Sequence, residues 1–211
     1  MIQYDFIEAS FDSKNTDTCK LSILAGVDSF AFLVQSAARE VLLARKIIFE
    51  EGPADAIRFG RRFNELMQQH DALRMPYGQV KIAWFGPVFT LIPNRLFQQS
   101  AKAVYFRHLS SAVAKDDVLL ENALKRLSAT GVFPINKGLD FLFSLHYPDS
   151  KLLHFSTAFI DGILSLPVST NRPRLFVYVM DSFAMLTLLD GSQLKLHNYF
   201  NLTGENDLLY Y

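Results

Sequence analysis

Two hexapeptides, D-S-F-A-F-L at Asp28–Leu33 and D-S-F-A-M-L at Asp181–Leu186, differ at one position of six. Each follows a run of β-forming residues and leads through a short turn into another. A repeat in matching surroundings marks a duplicated supersecondary unit, so the fold must accommodate the same β-meander twice. The repeat names no chemistry.

The first meander reads as strands over Lys20–Ala25, Phe30–Gln35 and Val41–Glu50, all rich in Val, Ile, Leu and Phe. Gly52-Pro53 ends it. From Ala54 to Leu73, Ile57, Phe59, Phe63, Leu66, Met67 and His70 recur mainly at three- and four-residue steps, which predicts an amphipathic helix. Strands are expected at Val80–Phe85 and Val88–Ile92, and a helix from Pro93-Asn94 through Tyr105. Val118–Ala123 and Gly131–Ile135 look extended, with Leu124–Ala129 helical between them. Asn136 is placed to cap a short helix, Leu152–Phe155 reads as a strand, and Ser156 or Thr157 caps the helix after it. The breaker run Pro167–Pro173 sets a lobe boundary, giving a first lobe over 1–167 and the start of a second over 168–211. Beyond it the meander repeats at Arg174–Met180, Phe183–Leu189 and Gln193–Phe200, with Asp190-Gly191 as a hairpin turn. The second meander has only eleven residues after it. Either the second lobe is abbreviated or the chain is a truncated form of something longer.

Half of the residues are apolar and 13% are aromatic, enough for a packed core at this length. Cys19 is the only cysteine, which excludes an internal disulfide and a multi-cysteine zinc site. Twenty-one basic residues balance twenty-one acidic ones, so the excess expected of a nucleic-acid or acidic-membrane binder is missing. The N-terminus lacks a signal-peptide pattern, and no apolar run reaches spanning length. The expectation is a cytoplasmic protein with neither nucleic acid nor membrane among its partners.

Two β-β-β-α units with strands and helices between them resemble the ribonuclease H-like fold, duplicated as in actin-like ATPases. The stretches Leu21–Val34, Val88–Phe97 and Lys151–Thr157, with the second meander, also resemble an uncharacterised bacterial family of that actin-like class. The resemblance implies an α/β fold with mixed sheets, two such lobes and an incomplete second one. It further implies ATP and magnesium at the strand turns holding Asp28-Ser29 and Asp181-Ser182. It places Ser156-Thr157 at the start of a helix crossing between the lobes, which makes His154 and Thr157 cleft candidates. Active members carry glycine after the aspartate so that backbone N–H groups can approach phosphate. Here Ser and Phe follow each aspartate, and Gly26 precedes Asp28.

These departures favour a non-catalytic assembly or interaction module; if the second lobe is truncated, part of its apolar surface must be covered by something else, which argues for a protein partner or a second copy. The alternative is an ATP-binding protein or phosphotransferase with a diverged cleft. No phosphate loop, dinucleotide turn or nucleophile elbow occurs. The five histidines, His70, His108, His146, His154 and His197, lack metal-ligand spacing and read as surface or core residues.

Overall fold

The computed structural model describes residues 1–49, 55–86, 88–106, 113–167, 172–180 and 183–202. Among these described residues, twelve strands and four helices follow in order: β1 (Ile2–Ile7), β2 (Lys20–Gly26), β3 (Ser29–Gln35), β4 (Val41–Ile48), α1 (Ala56–Gln69), β5 (Gln79–Phe85), β6 (Thr90–Pro93) and α2 (Lys102–Tyr105). Then come β7 (Asp117–Leu124), β8 (Ala129–Asn136), α3 (Lys137–His146), β9 (Lys151–His154), α4 (Phe155–Ser165), β10 (Arg174–Met180), β11 (Phe183–Asp190) and β12 (Gln193–Asn201). They build a six-stranded sheet in the order β1-β4-β3-β2-β5-β9 and two three-stranded sheets, β6-β8-β7 and β10-β11-β12. In the large sheet β5 runs parallel to β2 and β9, while the other pairs are antiparallel.

Alternation decides the faces. Leu21, Ile23 and Ala25 of β2 and Phe30, Phe32 and Val34 of β3 all point into the core. Above them α1 presents Phe59, Phe63, Leu66 and Met67, spaced for one helical face. Asp55 caps α1 by accepting from the Arg58 amide at 2.8 Å, and Asn136 caps α3 by accepting from Gly138 at 2.9 Å. Rings fill the centre: Phe63 meets Phe143 at 5.5 Å and Phe30 at 5.8 Å, and Phe59 meets Trp84 edge-on at 5.4 Å.

Several expectations shift. β1 was unforeseen because Ile2, Tyr4 and Ile7 stay exposed, leaving no burial pattern to read. It is held instead by backbone pairing to β4 and by Arg45, which donates to both Asp5 oxygens at 2.9 and 2.7 Å. The helix expected to reach Leu73 stops at Gln69, because His70 is extended and a 3-10 turn follows over Asp71–Leu73. Pro93 closes β6 rather than opening a helix, so only the short α2 survives of the helix expected up to Tyr105. Between β7 and β8 the expected helix is one 3-10 turn, ended by Ser128 at φ 48°. Gly52-Pro53, Asp181-Ser182, residues 168–171 of the boundary run and residues 203–211 lie outside the described residues.

Asn122 of β7 ties two sheets together. Its amide donates to the Leu152 carbonyl at 3.1 Å and accepts from the His154 amide at 2.8 Å, both on β9. A carbonyl and an N–H two residues apart are the pair that a neighbouring parallel strand would engage.

Gly78 is fixed by contact. A Cβ there would lie 2.4 Å from the Asp17 carbonyl oxygen, a backbone atom that has no rotamer to move away. Gly78→Ala is expected to lower unfolding stability by about 1–3 kcal/mol, measured by urea titration. An unchanged midpoint would show that the Asp17 loop yields freely.

Candidate functional site

The C-terminal ends of the parallel strands β2, β5 and β9 point toward the β10-β11-β12 sheet, and α4 starts there. In open α/β sheets this edge is where ligands gather. Asp28 sits in the β2–β3 turn, half-buried, its Oδ1 accepting from the Ser29 hydroxyl at 2.9 Å. Its carbonyl accepts from the Phe49 amide at 2.8 Å. Across the seam, burial and then the nearby Asp28 charge push the Tyr178 phenol pKa up. Asp28 is therefore a turn residue facing β10. The corresponding Asp181 and Ser182 lie outside the described residues.

His154 is fully buried and caps α4, two residues earlier than expected for Ser156 and three for Thr157. Its Nδ1 accepts from the Ser156 amide at 3.1 Å, so the ring proton sits on Nε2 and is donated to the Gly86 carbonyl at 3.2 Å. Burial pulls its pKa down to about 3, partly countered by the Gly86 bond, which keeps it a neutral imidazole. The ring stacks on Phe89 at 4.6 Å.

From Ser156 a chain of polar contacts runs into the second sheet. The Ser156 hydroxyl bonds to His197 Nε2 at 2.8 Å and to the Tyr199 hydroxyl, while His197 Nδ1 meets the Thr187 hydroxyl at 2.8 Å. Ser156 and Thr187 are fully buried. Burial lowers His197 to about 4 and raises Tyr199. Serine beside histidine has the outline of a nucleophile–base pair. Yet Ser156 offers no surface to a substrate, and a neutral threonine rather than a carboxylate backs His197. The contacts latch β11 and β12 onto α4. Thr157 lies next to Ser156, and its buried Oγ1 makes no hydrogen bond among the described residues.

Sequence reading named His154 and Thr157 but missed Ser156, Thr187, His197 and Tyr199 as a group. The signal was available only in pairing: Thr187 lies opposite His197, and Tyr199 follows on the same face two residues on.

Aromatic rings close the seam. Phe183 stacks on Phe85 at 4.5 Å, Phe155 and Tyr199 meet Phe85 at 5.6 and 5.7 Å, and Phe155 reaches Tyr178 at 4.8 Å. Phe30, at the same position of the first hexapeptide, instead packs beneath α1 in the core. The two copies thus share a place in their meanders while their phenylalanines serve different packings. Aromatic rings thus occupy this edge, and among the described residues no group of three or more His, Cys, Asp or Glu converges.

A family model described as Protein of unknown function (DUF3822) matches residues 8–211. The chain belongs to this family. It is also similar to a solved Bacteroides thetaiotaomicron VPI-5482 protein with actin-like ATPase fold and unknown function. The TM-score is 0.81 at 21% identity, covering 96% of this chain and 77% of that one. This DUF3822 chain therefore has the actin-like ATPase fold, with mixed α/β architecture over several sheets. An exopolyphosphatase from Cytophaga hutchinsonii ATCC 33406 follows at TM-score 0.42 and 9% identity, over 92% of this chain and 53% of that one. A Ppx/GppA family member from Aquifex aeolicus follows at 0.39 and 11%, over 87% and 51%. At those scores neither bears on function. No curated protein matches the chain. Among the described residues no helix is long and apolar enough to cross a membrane.

Proposed function

We propose that this DUF3822 chain is a non-catalytic interaction module, built on an actin-like fold whose strand-end edge serves packing rather than nucleotide binding. The observation that supports it is the Phe85–Phe183 stack at 4.5 Å, sealed by Phe155 and Tyr199. A phosphate cradle needs exposed backbone N–H groups and room for the anion. The strand-end edge holds four aromatic rings, and the Ser156–His197 latch ties the second sheet beside them, which supports the reading.

Titration calorimetry with ATP, with and without magnesium, is the direct test. No saturable heat is expected at ligand concentrations up to about 1 mM, where binding would be worth only about 4 kcal/mol. Micromolar, magnesium-dependent binding with turnover abolished by Asp28→Asn would overturn the reading in favour of a diverged nucleotide site.

A further inference from the structure

The six-stranded sheet has unequal faces. One is packed under α1 and α3. Among the described residues the other carries only α4, lying against β5 and β9. Six strands at about 4.8 Å spacing span roughly 24 Å, and a helix with its side chains covers about 10 Å. Over β2, β3 and β4 no helix among the described residues covers this face.

A groove of about 430 Å³ lies there, floored by Ser22, Ala31, Ala44 and Ala83 and walled on one side by Phe155 and Phe159 of α4. Pairing register puts the floor on one surface: Ala31 lies opposite Leu24 and Lys46, and Ser22 opposite Leu33 and Lys81. Small floor residues let another helix approach the sheet closely.

The rim carries one sign of charge. By strand alternation Lys20, Lys46, Lys81 and Lys151 project from this face, and no Asp or Glu of the six strands does. None of the four lysines makes an ion pair among the described residues. Lys81 and Lys151 stand directly opposite each other, an arrangement that costs stability unless an anion joins them. The chain as a whole is neutral, so this excess is local.

We infer that this face docks an acidic amphipathic helix of a partner protein beside α4, an inference that rests on the interaction-module reading. The apolar side of the helix fills the groove and its carboxylates reach the lysines. A second copy of the chain would bring the same lysines against these and be repelled. A lipid surface is flat, and would leave the floor between Leu24 and Leu33 unfilled.

The test uses two labelled peptides of about 15 residues, each with one Leu/Ala face and either glutamates or lysines on its flanks. Fluorescence anisotropy with the full chain is expected to show the glutamate peptide binding at least ~10-fold more tightly than the lysine peptide, and more weakly as salt rises. Ala31→Arg, which fills the groove, and Lys46→Glu, which inverts the rim, should each weaken binding ~10-fold or more. Both variants are to be checked for an unchanged circular dichroism melt; Lys46→Glu, at the rim, carries the test if Ala31→Arg fails to fold. Equal affinity for the two peptides overturns the inference, as does indifference to the rim substitution. So does binding to phosphatidylglycerol vesicles in place of the peptide, or a dimer in sedimentation that Ala31→Arg dissolves. Nucleotide titration is unaffected by any of these results, so the two readings fall separately.

Discussion

Replacing Phe63 with alanine is expected to cost about 3–5 kcal/mol of stability, the upper range for emptying an aromatic site. Phe63 is fully buried and touches four rings, Phe30, Phe59, Phe143 and His146. Those partners come from β3, α1 and α3, so one truncation loosens the sheet and both helices together. Urea unfolding monitored by circular dichroism should show a large fall in midpoint with an unchanged slope. A loss under about 1 kcal/mol would mean that the core collapses around the gap, contrary to the packing described. Phe63→Leu, which keeps most of the volume, should recover much of the loss.

Acid should destabilise the fold well before its carboxylates protonate. Burial holds His154 at about 3 and His197 at about 4, below the value of about 6.5 for an unfolded histidine. As pH falls through 6.5 the unfolded chain therefore takes up protons that the folded chain refuses. Stability is full above that value and declines until the folded groups also titrate near 4 and 3. Each histidine held neutral contributes a slope of about 1.4 kcal/mol per pH unit, so the pair removes roughly 4 kcal/mol between pH 6.5 and 5. His70 and His146 are also lowered by burial and act in the same direction. Asp5 is held low, first by its hydrogen bond from Arg45, and its contribution is lost only below the usual carboxylate range. Unfolding titrations from pH 7.5 to 4.5 should show this slope. His154→Asn, which keeps a capping oxygen but does not titrate, should flatten it by about one histidine's share. A slope unchanged by that variant would place the proton uptake elsewhere.

The strands over residues 20–25 and 30–35 were legible because alternate side chains there are apolar for a simple reason: one face meets a helix. The hairpin at Asp190-Gly191 was legible from turn chemistry, with Gly191 at φ +59° supplying the left-handed residue. β1 was not, because nothing buries it. The polar latch was hidden for another reason. Ser156, Thr187, His197 and Tyr199 come from a helix and two strands, and only the β11–β12 register and the approach of that sheet to α4 unite them. The hexapeptide repeat located two strand junctions correctly, yet could not say that Phe30 would go to the core and Phe183 to the seam, since that depends on what each sheet is packed against.

Asn122 has a consequence for solubility. A short outer strand such as β9 ordinarily offers bare peptide groups to any extended segment that drifts past, which is how ordered aggregates begin. The Asn122 amide already occupies the Leu152 carbonyl and the His154 amide. A single side chain thus occupies that margin of the large sheet, and leucine at position 122 would leave both backbone groups without these partners.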